Sequence, residues 1–439
     1  MRPHLRGPAL AAIAALAIGA ATSARAANAV LIVSDDQGYA DISCYPGADE
    51  ARTPNIDRLA AEGVRFTNGY ASCPVCAPTR AGLLTGRYQQ RFGFYEASDS
   101  RAGLPTDEVT LANLLQDAGF ATGVFGKWHL GYTPEHRPVR RGFDTFYGFL
   151  GHGGHDYFDL SISDEATSIY RDAEPVADSG YLTRNITREA VRFIERHRNR
   201  PFFAYIPYSA VHNPLQAPPD YVRRFSEPDP RRNTYLAMLT ILDEGVGQIL
   251  DALDRLELAE DTLVVYFSDN GGARGTTADN GRLRGFKHSV FEGGIRVPFL
   301  ARWPRRIPAG LVSDEPVISI DAFATILAAA GVDVPEGVPL DSRDFLPAAQ
   351  GRPLEAPLHG ALHWNWVDKG SPVGWAIRQG RWKLLADKGE PELYDLEADI
   401  SEERDLAKAH PQVAAELLKA YRAWEAGTAP RIRRPRRSQ

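Results

Sequence analysis

Two continuous apolar runs fix the kind of fold this chain can adopt. Ala29-Val30-Leu31-Ile32-Val33 and Leu263-Val264-Val265-Tyr266-Phe267 show no alternation of apolar and polar residues. Strands of that composition must be covered on both faces, as in the parallel sheets of α/β proteins. Helical and strand-like segments then alternate. Thr53-Pro54 opens a helix through Ile56, Leu59 and Ala60 to Gly63, and Val109 to Ala118 is a helix closed by Gly119. Further helices run over Leu182–Arg196, Asn233–Leu256 and Ile318–Ala330, with strands at Ala121–Phe125 and Pro201–Tyr208. The pattern predicts an α/β fold over residues 27–345, a large mostly parallel sheet sandwiched by helices.

After about residue 345 the pattern changes. Trp375–Arg378 and Arg381–Leu385, joined at Gln379-Gly380, read as a hairpin, and Pro411–Trp424 as a helix packed on it. Residues 346–424 are therefore expected to form a smaller C-terminal α+β subdomain. The run Arg431-Ile432-Arg433-Arg434-Pro435-Arg436-Arg437, within a basic tail over residues 425–439, is expected to be solvated and frayed. At the other end, Arg2 and Arg6 precede an apolar run from Ala9 to Ala21, and Ala24-Arg25-Ala26 supplies the small residues of a cleavage site. Residues 1–26 read as a secretory signal peptide cut after Ala26, too short for a membrane span, which predicts export to a periplasm. No cysteine follows the run, so no lipid anchor is expected, and a formal net charge of −6 argues against a nucleic-acid partner.

In open α/β sheets ligands gather beyond the carboxyl ends of the strands. Both apolar runs end in paired oxygen donors there, Asp35-Asp36 after the first and Asp269-Asn270 after the second. Three carboxylates and an amide make a hard-oxygen site suited to calcium, with magnesium the lesser fit, and unsuited to a thiophilic metal. Cys73-Pro74-Val75-Cys76 is a Cys-x-x-Cys, which alone is open to a redox pair or half a zinc site. Zinc would need two more ligands, and Cys44 is the one other cysteine. Whether Cys44 and Cys73 pair cannot be deduced from the sequence.

The stretch Cys76-Ala77-Pro78-Thr79-Arg80, continued as Ala81-Gly82-Leu83-Leu84-Thr85-Gly86, resembles the signature of the type I, formylglycine-dependent sulfatases of the alkaline phosphatase superfamily, with an arylsulfatase-like character. The family's commonest fourth residue is Ser, and this chain has Thr79. Asp35–Tyr39 and Ser268–Gly271 are similar to the family's two metal-binding segments. Gly119–His129 resembles its second signature, Tyr205–His212 the strand that delivers another histidine, and Lys287 stands at its second sulfate-binding lysine. The likeness runs from about Asn28 to Asp405, where Leu393-Tyr394-Asp395-Leu396 is a typical late segment.

The resemblance implies that a formylglycine-generating or sulfatase-maturating enzyme converts Cys76 to formylglycine (3-oxoalanine), whose hydrate is the nucleophile. It further implies that Asp35, Asp36, the residue at Cys76, Asp269 and Asn270 hold one calcium ion. Lys127 and Lys287 would clamp the sulfate, Arg80 would hold the hydrate, His129 would serve as base, and His212, with Lys287, as general acid. The implied substrate is a sulfate monoester on a carbohydrate. Two other readings stand beside it: a phosphodiesterase or phosphonate monoester hydrolase of the same superfamily, and a glycan-binding protein whose Cys76 is never converted. In Gly151–Tyr157 either His152 or His155 could contact the site. His136, His197, His288 and His410 read as surface or satisfied polar groups. Trp364, Trp366 and Trp375 are candidates for a sugar platform or for buried packing.

Overall fold

The computed structural model describes residues 27–151 and 153–432. The signal segment, His152 and residues 433–439 lie outside the described residues.

A ten-stranded sheet organises the molecule. Its centre is five parallel strands in the order 262–268, 28–34, 202–207, 121–127 and 145–149. Every residue of Asn28–Ser34 is buried, as the continuous apolar run requires. Its side chains feed two cores in alternation: Ala29, Leu31 and Val33 enter one, Val30 and Ile32 the other. The first core holds the helices Cys76–Thr85, Leu111–Asp117 and Asp321–Ala330; the second holds Pro54–Ala61, Leu182–His197 and Pro230–Arg255. The sheet is thus sandwiched by helices, as expected. Its flanks are mixed: Phe299–Arg302 runs antiparallel to both neighbours, and on the other side Ile169–Arg171 runs antiparallel to 145–149 with Glu174–Pro175 paired outside it at the edge.

Local signals explain several boundaries. The long helix begins at Pro230, three residues before the expected start, because the Asp229 side chain accepts from Arg231 N at 2.8 Å and proline occupies the first helical position. The helix at Pro54 is capped from a distance. Thr53 spends its hydroxyl on Asp57, while Asp243 of the long helix accepts from the backbone N–H groups of Asn55 and Ile56 at 3.0 and 2.8 Å.

A second, antiparallel sheet comprises strands 362–368, 371–379, 382–387 and 392–395, with helix Pro411–Glu425 packed against it. Trp364 and Trp366 are buried in the core between this sheet and the larger body, and Trp364 donates from Nε1 to Ala71 O at 2.8 Å. Neither can be a sugar platform. Trp375 is half-buried and stacks on Tyr421 at 4.4 Å. The tail is not frayed where it begins. Ala429 N donates to Gln90 O and Ile432 N to Gly93 O, both at 2.8 Å, and Arg431 pairs with Asp99 at 2.7 Å and with Glu96. Two acids on the larger body hold this arginine, a partnership invisible in a local run of basic residues. Among the described residues no helix is long and apolar enough to cross a membrane.

Candidate active site

Register brings the two oxygen-donor pairs together. Ser34 lies opposite Ser268 in adjacent parallel strands, and Asp269 N donates to Ser34 O at 3.0 Å. Asp35-Asp36 and Asp269-Asn270 therefore leave the sheet side by side. A buried polar network holds their turns: Ser34 Oγ and Tyr266 OH donate to Gln37 Oε1 at 2.6 and 2.5 Å, and Gln37 N donates to Ser268 Oγ at 3.1 Å.

Cys76 opens the helix Cys76–Thr85, all ten residues of which are buried. Its thiol sits at the positive end of the helix dipole. Arg80 follows one turn later on the same face. Thr79 Oγ1 donates back to Cys73 O at 3.0 Å and Val75 O at 3.2 Å, so the hydroxyl, not the extra methyl, does the work at this position. The Arg80 guanidinium is fully buried. It donates from Nε and Nη2 to Asp269 Oδ2 at 2.9 and 2.7 Å, from Nη1 to Lys127 O at 2.8 Å, and reaches Asp35 Oδ2 at 3.4 Å.

Lys127 and His129 come from the strand 121–127 and the turn beyond it. Gly126, with φ +133°, lies so close to Pro207 O that a Cβ would sit 2.0 Å from it, so only glycine lets the strand end pass there. Lys127 Nζ donates to Asp35 Oδ2 at 2.5 Å, and Lys287 Nζ to Asp36 Oδ1 at 2.5 Å. His212 turns Nε2 toward Asp36 Oδ2 at 3.6 Å while Nδ1 donates to Asn213 O at 2.8 Å. All ten side chains that the sequence singled out for catalysis or metal binding are brought to this one place.

Burial and charge set their protonation. Burial works against ionised Asp36, yet Lys287, His212 and the Asn270 amide outweigh it and hold it well below the carboxylate range. Asp269 is pushed up to about 6 by burial and by the Asp35 charge, against the pull of Arg80. His129 is held well below its ordinary value by burial and by Lys127 and Arg80, so it is neutral, and neither ring nitrogen has a hydrogen-bond partner among the described residues. Burial also raises the Cys76 and Cys73 thiols. A redox Cys-x-x-Cys needs the opposite shift, and both cysteines, like Cys44, are free.

The donor set fits a hard divalent cation. Asp35 Oδ1, Asp269 Oδ1 and Asn270 Oδ1 are buried and accept no hydrogen bond among the described residues. A carboxylate oxygen of Asp35, one of Asp269 and Cys76 Sγ lie within 4.8 Å of one another, as do ligand atoms of Asp35, Asp36 and His212. Buried polar atoms left without partners are costly, and a bound cation is what would satisfy three oxygens at once. His155 does not turn to the site: its two ring nitrogens lie 2.5 Å from the carbonyls of Asp156 and Thr167. A residue that sequence reasoning missed is Tyr205, whose buried hydroxyl sits beside Arg80 and Asp269.

Comparison with known proteins agrees with this geometry. The Sulfatase family model matches residues 27–332, and a model described as N-sulphoglucosamine sulphohydrolase, C-terminal, matches residues 285–423. The N-acetylgalactosamine-6-sulfatase of Canis lupus familiaris is 35% identical over 373 residues, covering 79% of this chain and 70% of that protein. The crystal structure of Ps i-CgsB in complex with k-i-k-neocarrahexaose superposes with a TM-score of 0.86 at 36% identity, over 92% of this chain and 94% of that one. The phosphonate monoester hydrolase of Agrobacterium radiobacter shares the fold alone, with a TM-score of 0.69 at 22% identity over 91% of this chain and 96% of that one. The thiol-bearing buried helix start, the cluster of acids with free oxygens and the two lysines all lie within the span matched by the Sulfatase family model, and the chain belongs to the type I sulfatase family and is a sulfuric ester hydrolase.

Proposed function

We propose that this protein removes sulfate from a sulfated carbohydrate, with Cys76 converted to formylglycine and one calcium ion held by Asp35, Asp36, Asp269, Asn270 and the residue at position 76. The observation that carries the reading is the convergence of three unpartnered, buried oxygens, of Asp35, Asp269 and Asn270, the first two residues grouped with Cys76, with Lys127 on Asp35 and Lys287 on the adjoining Asp36. The carbohydrate class is supported by the relatives, of which one is an N-acetylgalactosamine-6-sulfatase and another was crystallised with a neocarrahexaose.

When present, the ion neutralises charge on the sulfate and the hydrated aldehyde supplies an oxygen nucleophile. The chain's own residues do the rest. Three carboxylates face three cationic side chains here, so a divalent ion makes the site positive and suits it to an anionic ester. Lys127 and Lys287, whose ammonium groups lie on Asp35 and Asp36, would be within reach of sulfate oxygens at this site and would stabilise the charge that develops there. Arg80 fixes the position of Asp269 and Asp35 through three of its four buried bonds, the fourth going to Lys127 O. His129, neutral and with both nitrogens free, takes a proton at position 76 as sulfate leaves. His212 has its Nδ1 proton committed to Asn213 O, so it protonates the departing sugar oxygen from Nε2 only as the doubly protonated imidazolium, a form that burial opposes and the Asp36 and Asp35 charges favour. Cys76 is 3% exposed, so the maturating enzyme must act before the chain folds. Residues 1–26 carry the features of an export signal, and an N-terminus at Ala27 on the mature protein is the corresponding expectation.

The test is ion-resolved anion release from a panel of sulfated oligosaccharides and phosphodiesters. Protein co-produced with a maturating enzyme is compared with Cys76→Ala. Sulfate released by the first alone supports the reading. Phosphate release, or sulfate release undiminished in the variant, overturns it.

A further inference from the structure

The turn Arg274–Thr276 bridges the two side chains that flank the scissile ester in the reading above. His212 and Lys287 both bear on Asp36, at 3.6 Å to Oδ2 and 2.5 Å to Oδ1. Their chain neighbours meet across this turn. A Cβ on Gly275 would lie 3.7 Å from Asn213 Nδ2, and the Arg274 guanidinium lies 4.8 Å from the centre of the Phe286 ring. Arg274 therefore stacks on the residue before Lys287, in a turn whose next residue, Gly275, faces the residue after His212, so the turn lies beside the two chain segments that carry His212 and Lys287.

Its chemistry is uncommitted. Arg274 is exposed, and among the described residues no carboxylate pairs with it and no hydrogen bond uses its guanidinium. On the same loop Arg284 donates to Tyr394 OH and to Glu402 O at 2.9 and 2.7 Å, and Arg282 is exposed without a ring beneath it; Arg274 alone of these three combines a stacked guanidinium with an unused donor edge among the described residues. Stacking on Phe286 restricts the plane of the guanidinium while leaving its edge of N–H donors unused. A planar donor edge of that kind matches a carboxylate or a sulfate group.

We propose that Arg274 forms a second anion-binding subsite, which engages a sulfate or carboxylate carried close to the scissile ester, so that the preferred glycans bear two neighbouring anionic groups. The inference rests on the sulfated-carbohydrate reading. Its test uses oligosaccharides of one backbone in three forms: monosulfated, disulfated, and monosulfated with a uronate beside the ester. Arg274→Ala is expected to raise KM for one or both doubly charged forms by about tenfold while kcat stays within about twofold. KM for the monosulfated form stays near that of the wild type. Arg274→Lys, which keeps the charge and loses the planar stack, recovers part of the effect. Whether the disulfated or the uronate form responds names the second group. An equal change on all three forms, or none, overturns the proposal.

A binding arm separates the two ideas. Cys76→Ala and Cys76→Ala/Arg274→Ala are titrated calorimetrically with the same oligosaccharides. Affinity lost only for doubly charged forms supports the subsite even if no sulfate is ever released, whereas equal affinities in the two variants sink it whatever the activity.

Discussion

Lys383 offers the most quantitative perturbation. From the strand 382–387 its ammonium donates to Glu292 Oε1 and Glu402 Oε1, each at 2.8 Å, and all three side chains are 0% exposed. Glu292 also accepts from Tyr70 OH at 2.8 Å and Arg296 Nη1 at 3.1 Å, while Glu402 Oε2 accepts from Glu292 N at 2.6 Å. Lys383→Met removes the one cation paired with the Glu402 carboxylate among the described residues and leaves that buried carboxylate with a single backbone donor. Breaking a buried pair from one side costs about 3–5 kcal/mol. With an unfolding entropy near 2 cal/mol/K per residue, that lowers the melting temperature of a chain this size by about 4–6 °C.

The pH dependence has a definite sign. Glu402 is pushed up to about 7, by burial first, with Lys383 pulling down and Glu292 pushing up. Between its ordinary value of 4.5 and about 7 the folded chain keeps a proton that the unfolded chain has lost, so this group's contribution to stability falls as pH rises through that window. Removing Lys383 deletes the downward pull, raises the folded value further and extends the loss to higher pH. The Lys383→Met deficit is therefore larger at pH 8 than at pH 5.5, and Glu402→Gln in the same background restores part of it. Thermal unfolding followed by circular dichroism at the two pH values reads both effects. A variant that melts within about 1 °C of the wild type at pH 8, or one whose deficit grows on acidification, refutes the reasoning.

Two further outcomes concern the site itself. Chelation with EGTA should abolish sulfate release and lower the melting temperature together, because Asp35, Asp269 and Asn270 lose what satisfies their free oxygens; calcium should restore both, and magnesium should restore less. Rates and melts measured after each addition check this, and a chelated protein with full activity contradicts it. His212→Asn should slow release from alkyl sugar sulfates by about 10²–10⁴-fold and from a nitrophenyl sulfate far less, since a good leaving group needs no proton. Equal losses on the two substrates would remove His212 from the role of acid.

Legibility followed physical locality. The central strands were readable because burial on both faces demands continuous apolar runs, and the acids at their ends were readable because a parallel sheet collects ligands there. The helix Cys76–Thr85 was not readable as a helix. All ten of its residues are buried, so no polar face marks a period, and Pro78, Thr79 and Gly82 obscure its propensity. Its motif carried the information that periodicity could not. Partnerships across long sequence distances left no local trace: Asp243 capping Asn55 and Ile56, Glu96 and Asp99 holding Arg431, and Glu402 sharing Lys383 with Glu292.

The same division bears on Arg274. Residues that share Asp36 are fixed by register and by motif, and each of them was found from the sequence. Arg274 belongs to no motif, and its standing comes only from Asn213 and Phe286 meeting across one turn. Groups that perform sulfate transfer must sit against a common set of carboxylates, whereas a group that selects the sugar need only reach the rim. The rim is free to vary while the centre is not, so substrate choice in this protein is to be sought in exposed, unpartnered side chains of the loop 271–291 rather than among the buried ones.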